Sequence, residues 1–138
     1  MESSLEFGGD PQDATLALSG IATPEGIKAG LAELFNHPRF RPGMAVLIDN
    51  SSLDTRALGP SDIQAMADAF VRADEHLGPA AVAVLTGGTA TVGLVALWHA
   101  YSSSAQAESR IFNERDDAVA WLRAHKRASA TDSEPLAT

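Results

Sequence analysis

The polar residues that could carry chemistry gather at a few places in this chain. Asp49 closes the apolar run Val46-Leu47-Ile48, and Ser51 and Ser52 follow it. Where such a run is a central parallel strand, its carboxyl end is where open α/β sheets bind ligands, so Asp49 reads as a ligand-orienting carboxylate or a weak base. The competing reading has Asp49 bonding the backbone of Asn50–Ser52, as aspartates do in turns. Thr86-Gly87-Gly88-Thr89 joins another apolar run to a helical pattern, and amides at such a junction can cradle an anion. It lacks the lysine of a phosphate-binding loop and the full glycine triplet of a dinucleotide fingerprint, so a tight turn is its plain alternative. Asp49, Ser51, Thr86, Gly87, Gly88 and Thr89 are therefore the candidate ligand-binding residues.

Other chemistries find little support. His37, His76, His99 and His125 are not spaced to share a metal on one helical turn. There is no cysteine, which rules out disulfides, thiolate metal sites and cysteine nucleophiles. No Gly-x-Ser-x-Gly marks a nucleophilic serine. Asp116 and Asp117 fall in the first turn of an expected helix, where the macrodipole alone favours them. Trp98, Tyr101 and Trp121 read as core or groove-lining aromatics. No catalytic residue, metal or cofactor is expected.

The elements that must position these residues follow from the apolar pattern. The 138 residues are 45% hydrophobic and 20% charged, within the range of one globular domain. Residues 1–14 are polar and glycine-rich, with at most a short edge strand near Leu5–Phe7. Thr15–Gly20 reads as a strand. Thr23-Pro24 starts a helix whose apolar face is Ile27, Leu31, Leu34 and Phe35, and Pro38 ends it. Gly43–Asp49 reads as a central strand and Asn50–Gly59 as a polar connection. Ser61-Asp62-Ile63-Gln64 reads as a capping box, with Ser61 as N-cap of a helix that includes Phe70. Ala80–Leu85 is the next strand, followed by a helix with Val92, Trp98 and Tyr101. Ser109–Phe112 is a last strand, and Asn113 reads as the cap of a final helix facing inward through Ala118, Trp121 and Leu122. The core is expected to bury Leu31, Leu47, Phe70, Val82, Val84 and Trp121.

This alternation predicts a single α/β domain over 15–127, with a mostly parallel sheet of four to five strands and right-handed crossovers. Residues 128–138 are small, polar and proline-bearing, and are expected to be disordered.

The net charge of −8 opposes nucleic acid and anionic lipid surfaces. Arg39 and Arg41 form a close basic pair, which reads as a solvated helix end, as do Arg123, Lys126 and Arg127. No apolar run approaches the roughly 20 residues needed to span a bilayer, so no membrane insertion is expected. The lack of cysteine and of an apolar leader-like segment suits the cytoplasm.

Several of these segments together carry a family resemblance. Ser19-Gly20 with Thr23, His37-Pro38-Arg39-Phe40-Arg41-Pro42-Gly43 and Val46–Asp49 come first, and Ile111-Phe112 with Ala118 and Ala120-Trp121-Leu122 close it. Over roughly Thr15 to Arg123 the chain resembles the bacterial STAS/SEC14-domain proteins of the SpoIIAA-like superfamily. The resemblance implies a sheet wound with helices into a βα superhelix that needs no cofactor. It includes anti-sigma-factor antagonists, which bind a partner kinase and are switched by serine phosphorylation, and more distant lipid binders. Their Asp-Ser-Ser-Gly motif is absent; Gly59-Pro60-Ser61-Asp62 stands at the corresponding helix start, making Ser61 the match for the phosphoacceptor. The expected function is a non-enzymatic regulatory or protein-interaction domain. The alternative is a carrier or sensor of a small neutral or apolar ligand such as a lipid, held near the helix with Trp98 and Tyr101.

Overall fold

The computed structural model describes residues 1–54, 58–72, 80–86 and 108–133. Five strands form one sheet in chain order: β1 (Glu2–Phe7), β2 (Ala14–Ile21), β3 (Ala45–Asp54), β4 (Ala81–Thr86) and β5 (Glu108–Phe112). β1 runs antiparallel to β2, and the other three pairings are parallel. The helices described are α1 (Pro24–Phe35), α2 (Pro60–Arg72) and α3 (Arg115–Ser133). The fold is thus α/β with a five-stranded mixed sheet. The helix expected around Val92, Trp98 and Tyr101 lies outside the described residues, and so does the side chain of Phe70.

Strand alternation divides the core between the two faces of the sheet. On one face Leu16, Leu18, Val46, Ile48 and Val82 meet Ile27, Leu31 and Leu34 of α1, with α2 beside it. On the other, Ala45, Leu47, Ala81, Ala83 and Leu85 meet Ala118 and Leu122 of α3. Small residues on β3 and β4 let α3 approach closely. α1 does the same through Gly30, where an added Cβ would stand 3.1 Å from a Leu18 methyl. Leu31, Leu47 and Val82 are buried as expected, but Val84 and Trp121 are only half-buried. Trp121 lies at the margin of α3, its ring 5.7 Å from that of Phe112.

Local chemistry sets the element ends. The Thr23 hydroxyl accepts the Gly26 amide at 3.0 Å, with Pro24 opening α1. The edge strand is longer than the sequence suggests: all of Glu2–Phe7 pairs with β2, because Leu5 and Phe7 pack onto the core while the intervening residues face out. α2 begins at Pro60, which leaves Gly59 at the capping position, and the Asp62 carboxylate accepts the Gly59 amide at 2.9 Å. Ser61 is therefore not the N-cap; it is exposed in the first turn. Likewise α3 begins at Arg115, so Asn113 does not cap it. The same helix runs on to Ser133, into the stretch expected to be disordered. Ala128 and Ala130 favour helix, and no proline interrupts before Pro135.

α3 is also clasped to the first hairpin. Lys126 Nζ stands 3.2 Å from Asp13 Oδ1 and 3.3 Å from the Pro11 carbonyl, while Asp13 Oδ2 accepts the Ala45 amide at 2.9 Å. Between α1 and β3 the chain forms a tight loop. Phe40 is buried against Phe35, and backbone bonds join Phe40 to His37 and Met44 to Arg41.

Candidate functional site

Asp49 lies within β3 rather than at its end, and the expected polar connection after it begins as strand. Ser52, Leu53 and Asp54 pair with Ser19, Gly20 and Ile21, and the Ala22 amide donates to the Asp54 carbonyl at 2.8 Å. These backbone bonds to β2 outweigh the weak strand preference of Asn-Ser-Ser. Between Ala17 and Ser19 the register slips, because three steps along β3 match two along β2. The extra residue makes a bulge, the kind of irregularity that re-aims side chains within a strand.

Asp49 is the last regularly paired residue before this bulge. Its Oδ1 accepts the Ser51 amide at 3.0 Å and also the Ser51 hydroxyl, the local turn bonding that competed with the ligand reading. Its Oδ2 lies 3.3 Å from an Arg115 guanidinium nitrogen at the start of α3. Both carboxylate oxygens are thus engaged, Oδ1 by two donors of Ser51 and Oδ2, among the described residues, by Arg115 alone, which leaves Oδ2 room for a further donor.

The β3–β4 register sets Asp49 beside Leu85 and Asn50 beside Thr86, so Asp49 and Thr86 lie on neighbouring rungs at the carboxyl margin of β4, with strand alternation turning them to opposite faces. The Thr86 hydroxyl lies 2.9 Å from Asn113 Oδ1 and 3.3 Å from the Phe112 carbonyl, tying the end of β4 to the end of β5. Gly87, Gly88 and Thr89 lie outside the described residues. Ser61, on α2, is not part of this network among the described residues.

Arg115 and Asn113 belong to the site although the residue pattern did not single them out. A cation in the first turn of a helix opposes the macrodipole, so Arg115 carried a signal that a carboxylate stands near. The sequence pattern places Asn113 at a helix cap; because α3 starts one residue later, its side-chain oxygen meets the Thr86 hydroxyl instead.

A shallow concavity adjoins Asp49 on the sheet. Glu2, Ser3, Ser4, Ala17, Leu18, Ser19, Asp49 and Ser52 line a volume of 160 Å³. Small-molecule clefts usually hold roughly 300–1,000 Å³, so this hollow suits a few polar atoms rather than a whole cofactor. Among the described residues no group of three or more histidines or carboxylates is placed to hold a metal ion, and no helix is long and apolar enough to cross a membrane. No protein-family model, curated protein or solved structure matches the chain.

Proposed function

We propose that the chain is a non-enzymatic interaction domain of STAS-like fold, working in the cytoplasm by binding a protein partner. The observation that carries this reading is the order of the sheet. An antiparallel edge strand is followed by four strands that lie side by side in chain order, all parallel, with α1 between β2 and β3 and α2 between β3 and β4. That is the winding the SpoIIAA-like resemblance implies. The site agrees with a binding role, since its central carboxylate is held by Ser51 and Arg115 and the adjoining hollow is lined chiefly by serines.

The test is native mass spectrometry of the full chain purified gently from its own host. A stoichiometric complex with a second protein is the expected result. A bound lipid with no protein would replace this reading with the carrier alternative. Phosphate on Ser61 in the same sample, with binding altered by Ser61→Asp, would bring in the antagonist switch.

A further inference from the structure

We propose that the loop between α1 and β3 docks an acidic peptide segment of a partner protein, through Arg39 and Arg41. The inference rests on the interaction-domain reading but names a surface away from Asp49, at the amino-terminal end of the parallel strands.

Residues 36–44 hold two arginines and a histidine and no acid, in a chain whose net charge is −8. Both arginines are exposed, and among the described residues neither has a carboxylate partner. What they touch instead holds them in place. The Arg41 guanidinium donates through one nitrogen to the Pro38 and Phe40 carbonyls, at 2.7 and 3.0 Å. The Arg39 guanidinium stands 5.5 Å from the centre of the Phe7 ring, and that ring stacks on His37 at 4.5 Å. The Arg39 amide donates to His37 Nδ1 at 3.1 Å, and Phe40 anchors the loop in the core. Two cations are thus presented on a stiff frame beside a half-buried aromatic surface. Little freedom is left to lose on binding, which is the usual gain from preorganisation.

The class of partner follows from range. At physiological salt charges are screened over about 8 Å, so a short peptide lying on this loop senses the two arginines and little of the remaining acidic surface. A duplex or a lipid surface extends well past the loop and meets the acidic remainder of the molecule. Carboxylates also suit arginine, whose planar fork pairs with them through two parallel bonds.

Fluorescein-labelled tetraglutamate, titrated against the full chain and followed by anisotropy and by amide chemical shifts, tests this. Saturable binding is expected that weakens with added salt, shifts the amides of Phe7, Arg39, Phe40, Arg41 and Gly43, and drops about tenfold in R39E/R41E, as for the loss and reversal of two exposed ion pairs. Because Arg41 also braces the loop, Arg39→Gln alone serves as the second variant; it leaves those carbonyl bonds intact and is expected to weaken binding about threefold. Equal binding of tetraglutamine, unchanged binding by both variants, or shifts confined to other surfaces would overturn the proposal. So would tighter binding to phosphatidylserine vesicles or duplex DNA than to the peptide. A host complex that survives R39E/R41E sinks the docking loop and leaves the interaction-domain reading standing; absence of any host complex with the wild-type chain sinks the latter.

Discussion

Replacing Leu47 with alanine tests the packing of α3 on the sheet. Leu47 is fully buried in β3, between Thr15 of β2 and Ala83 of β4. Its side chain belongs to the cluster formed with Ala45, Ala81, Ala83, Leu85, Ala118 and Leu122. The substitution removes three carbon atoms from the core, a transfer loss of about 2.4 kcal/mol at about 0.8 kcal/mol each. A cavity term adds to that, at about 24 cal/mol for each Å³ left unfilled. Four of the six neighbours are alanines, which have no side-chain length with which to close the gap. The total should therefore sit in the upper half of the usual range, at about 4 kcal/mol, against a domain stability of roughly 5–15 kcal/mol. Urea unfolding followed by circular dichroism should show this as a lower midpoint with unchanged slope, and the melting temperature should fall by about 10–15 °C. Ile21→Ala is the control: Ile21 is 65% exposed, and its loss should change stability by less than about 0.5 kcal/mol. A Leu47→Ala loss below about 1.5 kcal/mol would mean that α3 does not seal this face as described.

Three further outcomes follow from the geometry. Asp62→Ala should cost about 1 kcal/mol by freeing the Gly59 amide, whereas Ser61→Ala should be nearly silent; the reverse order in a melting series would restore Ser61 as the cap. Gly30→Val should destabilise by about 1–3 kcal/mol, because a branched side chain has to displace Leu18, and retention of full stability would show that α1 stands off the sheet. Asp49→Asn should lower stability by no more than about 1 kcal/mol, since the pair with Arg115 is 21% and 52% exposed, and a larger loss in urea unfolding would reveal a structural role beyond that pair.

What could be read from the residues was what local chemistry determines. Thr23-Pro24 announced α1 because cap and first-turn proline act within a few residues. Val46–Ile48 and Ala81–Leu85 announced inner strands because burial on both faces demands unbroken apolar runs. β1 was read short because Glu-Ser-Ser-Leu-Glu-Phe has a weak pattern of its own; it is a strand because β2 offers a partner along its whole length. The polar half of β3 escaped for the same reason, and with it the true place of Asp49. Val84 and Trp121 sit at the margins of their clusters, where type alone does not tell burial. Ser-x-x-Gln is a capping pattern and points to Ser61, but Pro60, suited to the first helical position, sets the start of α2 two residues earlier. The pair of Asp49 with Arg115 joins residues far apart in the chain and depends on the sheet to exist.

The placement of α3 has a consequence for how the protein is made. Among the described residues, the apolar surface formed by Ala45, Leu47, Ala81, Ala83 and Leu85 is covered only by the last helix, and the Lys126 clasp on Asp13 closes at the same moment. During synthesis β2, α1, β3 and β4 leave the ribosome first and can assemble one layer of the core unaided. Among the described residues the second layer waits until Ala118 and Leu122 have emerged, and an apolar face exposed until then is of the kind that invites aggregation and chaperone capture. A ribosome stall or proteolytic cut just ahead of Arg115 thus leaves this face of the sheet without the helix that covers it among the described residues.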